Sequence, residues 1–501
     1  TKQLKQSDPN RPVDPVDLSL LNPAQAFAYN VVRDHNASAT RAAPPAPLRA
    51  LVCGTAGSGK VRIVTTLHFT ALYLAPSPTR SVSLLSSQTF LIRALKQLLG
   101  GKCLVLAPTG VAAENIGGAT YHSQIPVPFM DIDRVNIDPA KERMASFEKR
   151  LAGVEYIIID EMSMVGRRAI GHIDYLLTKA KGDNSKTFGG LSIILVGDHG
   201  QLPPVKDKRP YDVSGVRHAR TGKALVTAPK WQLRGVQRYE EFTDIFFLDK
   251  IERIAKGGGD ASEIAKLNAF RDLQLRARDG LLRQSDHGSM RATMDLDGMR
   301  EDRRATFHEP EVFSLVTTQS KRDQANLTAT TALLDSGAPG IVLNAVHSPE
   351  NSPATVADDD DIGLAKTLVL ARGSRVMVTW NISVDHGLVN GTVGKVAGFL
   401  VKDGIVASVL VAVRKASTGR NGYSGPSFVP AANYNYDDNE YAIVAIGRKS
   451  VKIHENKMDS QRSQFPLMLA HAVTVHKAQG LTLDRIRIDA GDDERSVGLF
   501  F

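Results

Sequence analysis

A short apolar stretch, Leu51-Val52-Cys53, leads directly into Gly-Thr-Ala-Gly-Ser-Gly-Lys. A strand followed by a glycine-rich loop that ends in lysine predicts a phosphate-binding loop. The glycines let backbone N–H groups surround a triphosphate, and the lysine reaches its outer phosphates. We therefore expect the nucleotide to be bound by this loop, which comprises Gly54, Thr55, Ala56, Gly57, Ser58, Gly59 and Lys60.

The residue after Lys60 departs from this pattern. A Ser or Thr hydroxyl for Mg²⁺ normally stands there, at the first turn of a helix, but this chain has Val61. The helical spacing of apolar residues begins only after Thr89, at positions 91, 92, 95, 98 and 99. Removing residues 61–88 would place Thr89 directly after Lys60 and complete the loop, with Thr89 as a ligand of Mg²⁺.

Residues 61–88 begin with Val-Arg and end with Gln, whose codons are compatible with the GT and AG borders of an intron. We interpret the segment as a translated, unspliced intron, because loops longer than about 12–15 residues are uncommon in compact domains. The alternative is a genuine surface insertion.

Composition limits the classes of protein that this chain can represent. The 501 residues predict about three domains, using roughly 150 residues per domain. A net charge of +9 favours a polyanionic partner such as nucleic acid. The two cysteines, Cys53 and Cys103, lie in apolar runs and are expected to be reduced thiols. With neither a membrane-length apolar run nor a secretory signal in the sequence, we expect an intracellular protein that does not contact a membrane.

Two further apolar runs end in polar residues of the kind that nucleotide hydrolysis needs. Residues 154–159 lead into Asp160 and Glu161, which would hold Mg²⁺ through water and polarise the attacking water, respectively. Residues 191–196 lead into Gly-Asp-His-Gly-Gln-Leu-Pro-Pro-Val, where Gln201 would contact the γ-phosphate. Upstream, Gln25 would hydrogen-bond an adenine edge, or be an ordinary surface residue.

A strand at 102–107 runs into Pro108, Thr109 and Gly110, and His122 follows after further small residues. Small residues at the end of a strand let another backbone approach closely, which in a nucleotide-driven motor is a DNA strand. A tight turn would explain the glycines, but not the polar Thr109 and His122 together.

Several segments resemble the PIF-type (petite integration frequency) DNA helicases of superfamily 1, which move 5′ to 3′. They are GTAGSGK, LAPTGVAAENIGGATYHS, IIIDEMSMV, FGG, GDHGQLPPV, GSRVMVTWN, LVNGTVGKVAGF and FPLMLAHAVTVHKAQGLTLD. The resemblance extends from about residue 20 to the end of the chain. GDHGQLPPV and HKAQGLTLD together are highly specific.

The resemblance implies an α/β fold with two RecA-like P-loop domains that have parallel sheets, plus a small SH3-like β-barrel insertion in the second. We place a disordered lead-in at 1–19 and the first domain at 20–235, with a small protrusion at 124–153. The second domain would occupy 236–370 and 461–501, with the barrel at 371–460. Trp380, in the barrel, would stack on a base or pack in the interior.

The resemblance also implies a mechanism. ATP and Mg²⁺ would be the cofactors, and Arg253, Gln479 and Gly480 would contact or couple to the nucleotide, Arg253 at the γ-phosphate. His476 and Lys477 would touch single-stranded DNA. The partners would be single-stranded and forked DNA, bound by a monomer in the nucleus or mitochondrion. The expected functions are DNA repair, recombination and telomere maintenance.

A second interpretation is a catalytically impaired DNA-binding relative, arising from a faulty gene model or a mobile-element remnant. Two features favour it: Val61 stands in place of Ser or Thr, and the family's final arginine motif is not found before Phe501. A third option is the helicase half of a larger replication or relaxase protein, which is disfavoured because the sequence shows no His-hydrophobic-His metal cluster or nuclease carboxylate set.

Overall fold

The computed structural model describes residues 16–39, 45–54, 87–128, 137–218, 221–248, 261–278, 281–286, 312–350, 362–416, 422–455, 458–478 and 486–489. They form two compact units. The first contains the described residues up to Asp286, and the second contains those from Val312 onwards.

A six-stranded parallel sheet forms the centre of the first unit, with strand order β3-β2-β4-β5-β1-β6. Strands β2, β4 and β5 are buried along their whole length, as expected for a parallel sheet covered by helices on both faces. The strands are β1 (Arg49–Gly54), β2 (Cys103–Ala107), β3 (Ala119–Thr120), β4 (Tyr156–Ile159), β5 (Ser192–Gly197) and β6 (Asp244–Leu248).

Several helices of this unit contribute apolar residues to the same two cores as the sheet. The amphipathic helix predicted after Thr89 is confirmed as α2, in which Leu91, Ile92 and Leu95 are completely buried. The helices are α1 (Pro23–Ser38), α2 (Ser87–Leu99), α3 (Gly110–Asn115), α4 (Tyr121–Gln124), α5 (Lys141–Arg150), α6 (Arg167–Lys181), α7 (Lys230–Tyr239) and α8 (Ala261–Arg278).

Helices α6 and α7 approach each other closely because glycines stand at their crossing. A Cβ on Gly235 would lie 1.6 Å from the carbonyl oxygen of Arg167, and one on Gly171 would lie 2.1 Å from that of Trp231. Real side-chain atoms do not occupy such positions, so the crossing requires glycine on both helices.

The second unit contains a parallel sheet of its own. Strand β7 (Phe313–Val316) lies between β18 (Ala472–Thr474) and β19 (Ile486–Asp489). Helix α9 (Gln319–Asp335) is tied to this sheet by the buried Asn326, whose side chain accepts from the backbone N–H of Ala472 and donates to its carbonyl. The short helix α10 (Val475–Ala478) follows β18 directly.

The rest of the second unit is antiparallel. One sheet has the order β14-β13-β12-β11-β17, a second has β15-β16-β9, and β10 pairs with β8. These strands are β8 (Gly340–Asn344), β9 (Val346–Ser348), β10 (Thr367–Ala371), β11 (Arg375–Val378), β12 (Val393–Lys402), β13 (Ile405–Arg414), β14 (Tyr441–Gly447), β15 (Lys449–Glu455), β16 (Met458–Gln464) and β17 (Leu467–Leu469).

Several predicted boundaries need correction. The first unit does not end at 235, because β6 pairs in parallel with β1 and the unit continues to Asp286. An antiparallel sheet occupies most of 371–460, but its edge strand β17 lies beyond residue 460. That this region is an SH3-like barrel stays a prediction. The Trp380 indole N–H donates to the Ile362 carbonyl at 3.1 Å, and its ring packs with Ile362 and Leu364.

Two predicted peripheral segments are packed rather than detached. The sequence predicts a disordered lead-in that includes residues 16–19, but the backbone N–H of Val16 donates to the Gln97 side chain at 2.8 Å. The described part of 124–153 is not a protrusion. Helix α5 buries Phe147 completely, in the same core as the apolar side of α6. Residues 1–15 and 129–136 lie outside the described part of the chain.

Candidate functional site

Three of the residues predicted to hydrolyse a nucleotide, Asp160, Glu161 and Gln201, lie at one edge of the first sheet. Strand β5 lies between β4 and β1, with Leu195 opposite Ile159. On its other side, Gly197 lies opposite Cys53. Because parallel strands end at the same edge, the segments that follow them are neighbours. These are Asp160 and Glu161 after β4, Asp198–Gln201 after β5, and Gly54 at the end of β1.

Asp160 and Glu161 are enclosed by the protein. Asp160 is 0% exposed, and its backbone N–H donates to the Leu106 carbonyl of β2 at 2.8 Å. Glu161 is 2% exposed and has φ 55° and ψ 46°, in the left-handed region. That conformation costs a non-glycine residue about 1–2 kcal/mol, and such strained residues cluster at active sites. Carboxylates are also the ligands that Mg²⁺ prefers, so the acidic pair fits a nucleotide-bound magnesium ion.

Gly197 makes this arrangement possible. A Cβ at this position would lie 2.7 Å from the backbone nitrogen of Met162, directly after Glu161. The loop that carries the acidic pair therefore passes over the end of β5 only because the residue there is glycine. This contact supplies a physical reason for the first residue of the GDHGQLPPV segment.

The start of α2 lies at the same edge. The side-chain amide of Gln88 donates to the Gly197 carbonyl at 3.4 Å, and Thr89, the next residue, is 6% exposed. A helix that begins here has the position expected of the helix after a P-loop. The role of Thr89 as a Mg²⁺ ligand stays a prediction, because Thr55–Lys60 and the segment up to residue 86 lie outside the described residues.

Gln25 caps the start of helix α1 in the described fold. Its side-chain oxygen accepts from the backbone N–H of Asn22 at 2.8 Å, while the Asn22 side chain accepts from the Gln25 N–H at 2.9 Å. This reciprocal pair is a capping box that starts α1. Gln25 is 2% exposed, so it is not the surface residue of the alternative interpretation. An adenine contact stays a prediction.

The predicted DNA-contacting residues of the first unit follow β2. The Thr109 hydroxyl accepts from the Ala112 N–H at 3.2 Å and caps α3, with Pro108 half-buried beside it and Gly110 buried. The His122 ring packs 4.0 Å from that of Tyr121. Burial, with a smaller effect from Arg143, lowers the pKa of His122 to about 4. At neutral pH this histidine therefore offers hydrogen bonds rather than positive charge.

The remaining predicted residues divide between α10 and the undescribed segments. His476 is exposed and Lys477 is half-buried, both on α10 of the second unit. Arg253, Gln479 and Gly480 lie outside the described residues.

Sequence reasoning missed three residues at this edge. Asp198 is 2% exposed, and its side chain accepts from the Gly200 N–H within the loop that carries Gln201. Gln88 is part of the segment that the sequence predicts to be an insertion. Arg209 reaches the same loop from ten residues downstream of His199. The acid in GDHGQLPPV was a signal for Asp198, but no local pattern points to Arg209.

In the part of the chain that the structure describes, every helix is too short or too polar to span a bilayer.

Comparison with known proteins agrees with this architecture. Residues 86–288 match the model of the PIF1-like helicase family. The ATP-dependent DNA helicase Pif1 of Bdellovibrio bacteriovorus is 26% identical, over 86% of this chain and 85% of that protein. RRM3 of Saccharomyces cerevisiae is 25% identical over 80% of this chain, and human PIF1 is 26% identical over 79%. The chain spans only 56% and 52% of the lengths of these last two relatives.

Solved structures share the fold. The Candida albicans Pif1 helicase aligns with a TM-score of 0.62 at 20% identity, covering 96% of this chain and 91% of that one. A Bacteroides Pif1 helicase in complex with ADP-AlF3 and single-stranded DNA aligns with a TM-score of 0.60 at 21% identity, covering 96% and 89%. These likenesses support the predicted α/β fold with two RecA-like domains. Residues 86–288 are thus similar to the PIF1-like helicase family, and the named relatives of the chain are ATP-dependent DNA helicases.

Proposed function

We propose that this chain is an ATP-dependent DNA helicase that translocates 5′ to 3′ on single-stranded DNA and unwinds forked duplexes. The observation that carries the proposal is the pair Asp160 and Glu161, buried beside the loop of Gln201 at the edge where β1 leads into the P-loop sequence. Glu161 would accept a proton from the attacking water, and Gln201 would contact the γ-phosphate. Mg²⁺, held by Asp160 through water, would neutralise charge on the phosphates.

DNA would contact the residues after β2 and those on α10. Thr109, the backbone of Gly110 and the neutral His122 supply hydrogen bonds, whereas Lys477 supplies charge. We propose a monomer as the active form on DNA. Family resemblance supports a role in DNA repair, recombination and telomere maintenance, in the nucleus or mitochondrion.

We further propose that residues 61–88 are an insertion relative to the family. The family-model match begins at residue 86, at the C-terminal border of this segment, and α2 begins at Ser87. Sequencing of the transcript would decide between a retained intron and a protein insertion. A mature transcript that still encodes 61–88 would contradict the intron.

The test of the enzymatic proposal is DNA-stimulated ATP hydrolysis by the purified chain and by its Glu161→Gln variant. Loss of a general base typically costs about 10²–10⁴-fold in rate, so turnover should fall by that factor while ATP binding persists. Glu155→Gln is the matched control. Glu155 lies at the opposite end of the same strand, where it pairs with Lys102 at 3.1 Å.

A variant lacking 61–88 separates the two interpretations of the chain. Hydrolysis only in this variant would show that the insertion blocks a competent site, and hydrolysis in both would show that Mg²⁺ is bound without Thr89 after Lys60. DNA binding without hydrolysis in either protein would refute the enzyme and favour the impaired relative.

A further inference from the structure

The loop that carries Gln201 is closed from within by Asp198. The side chain of Asp198 accepts from the Gly200 N–H at 2.9 Å, and its carbonyl accepts from the Gln201 N–H at 3.1 Å. Such a turn defines the path of the loop, but its bonds do not use the backbone carbonyls of His199 and Gln201, which need other hydrogen-bond donors. Gln201 is 5% exposed, so a small shift of its backbone would displace a side chain that has little free space.

Arg209 supplies hydrogen bonds to these two carbonyls. One guanidinium nitrogen donates to the His199 carbonyl at 2.9 Å and to the Tyr211 hydroxyl at 2.6 Å. The other lies 3.5 Å from the Gln201 carbonyl, at the limit of a hydrogen bond. A guanidinium group is a rigid planar fork, so it holds these two carbonyls at a defined separation in a way that a flexible ammonium cannot.

His199 attaches the same loop to a helix. Its Nε2 lies 2.7 Å from the hydroxyl of Tyr239 on α7, and its ring is edge-on to that of Tyr211, with centroids 5.2 Å apart. Burial, assisted by the nearby Arg209, lowers the pKa of His199 to about 4. The ring is therefore neutral at physiological pH and can accept a hydrogen bond from the tyrosine hydroxyl. This bond joins the loop to α7 without a charge on the histidine.

We infer that Arg209 is a positioning residue for Gln201: by bridging the carbonyls of His199 and Gln201 it fixes the loop through which Gln201 meets the γ-phosphate. The expected effect on turnover rests on the proposed function, whereas the claim that Arg209 holds the loop does not. Arg209 itself touches no reacting atom. Its loss should therefore lower turnover while leaving the affinity for ATP nearly unchanged.

The test compares the full chain with Arg209→Met, Arg209→Lys and Lys208→Met. Lys208 is a matched control, because it is the neighbouring cation and donates to Ser214 rather than to the loop. Hydrogen exchange over residues 198–202 should accelerate at least about tenfold in Arg209→Met, because opening of the loop no longer breaks the Arg209 bonds. DNA-stimulated kcat should fall at least about tenfold with KM for ATP within about twofold, as expected for a displaced catalytic group.

Arg209→Lys should lie between the wild type and Arg209→Met, because an ammonium group can reach one carbonyl but not bridge both. Lys208→Met should match the wild type in both measurements. Wild-type exchange over 198–202 in Arg209→Met would overturn the inference, as would a raised KM with unchanged kcat. If the wild type hydrolyses no ATP, the proposed function fails, and the exchange comparison still decides whether Arg209 holds the loop.

Discussion

Asp174 on α6 offers the sharpest test of how the first unit is held together. Its carboxylate is fully buried and joins three parts of the chain. One oxygen accepts from the backbone N–H of Phe188 at 2.5 Å. The other accepts from Arg234 at 2.6 Å and lies 3.5 Å from Arg238. We predict that Asp174→Ala strongly destabilises this unit.

The magnitude follows from what each partner loses. The buried Phe188 N–H would lose its acceptor, which costs about 1–3 kcal/mol. Arg234 and Arg238 are 29% and 21% exposed, so water can compensate part of their loss. A hydrogen bond to a charged group contributes about 1.5–3 kcal/mol. The sum, about 2.5–6 kcal/mol, brackets the cost of breaking a buried ion pair, which is about 3–5 kcal/mol.

Urea unfolding would measure this loss. The chain has two tryptophans, so a Trp380→Phe background leaves Trp231, which packs 5.0 Å from the ring of Tyr175 on α6, as the reporter of the first unit. Asp183→Asn, at a partly exposed acid beyond the end of α6, is the matched control and should change stability by less than about 0.5 kcal/mol. Equal unfolding midpoints for Asp174→Ala and this control would refute the reasoning.

Three further predictions concern packing, pH and salt. Gly235→Ala should destabilise the first unit by about 1–3 kcal/mol in urea unfolding, because its methyl group would overlap the Arg167 carbonyl, whereas Gly101→Ala, with open space around it, should be neutral. Burial lowers the pKa of His172 to about 4 in the folded state, whereas its pKa is about 6.5 in the unfolded state. Between about pH 6.5 and 4 the imidazole is therefore protonated only in the unfolded state. Stability should therefore fall as pH drops from about 6.5 to 4, and His172→Gln should flatten that fall by up to about 1.4 kcal/mol per pH unit; an unchanged slope would contradict the assignment. Affinity for single-stranded DNA should fall as salt rises, and Lys477→Met should reduce the slope of log K against log salt by about 0.7, measured by fluorescence anisotropy; an identical slope would remove Lys477 from the phosphate contacts.

Local patterns were sufficient where a function depends on consecutive residues. The apolar run ending in Asp160 and Glu161 is a strand followed by two acids, and its spacing alone placed both residues at a sheet edge. The helical spacing after Thr89 likewise predicted α2. In each case the backbone conformation follows from periodicity, which a single sequence displays directly.

Boundaries could not be predicted in the same way. The predicted boundary at 235 puts strand β6 in the second domain, but β6 pairs with β1, nearly two hundred residues earlier in the chain. Its own sequence, Asp-Ile-Phe-Phe-Leu, is compatible with a strand in either sheet. Hydrogen bonds between distant strands decide the partner, and local sequence does not encode them.

The chemistry proposed for this protein was predictable from the sequence alone, because the P-loop residues, the acidic pair and the glutamine loop are each contiguous and carry their chemistry in the chain itself. The contacts that hold those residues in place became visible only in the folded chain. Arg209 reaches His199 and Gln201, and Asp174 reaches Phe188 and Arg234, across gaps in sequence that follow no period. Such contacts depend on where separate elements pack, because a buried charge is stable only where other elements bring its partners to it.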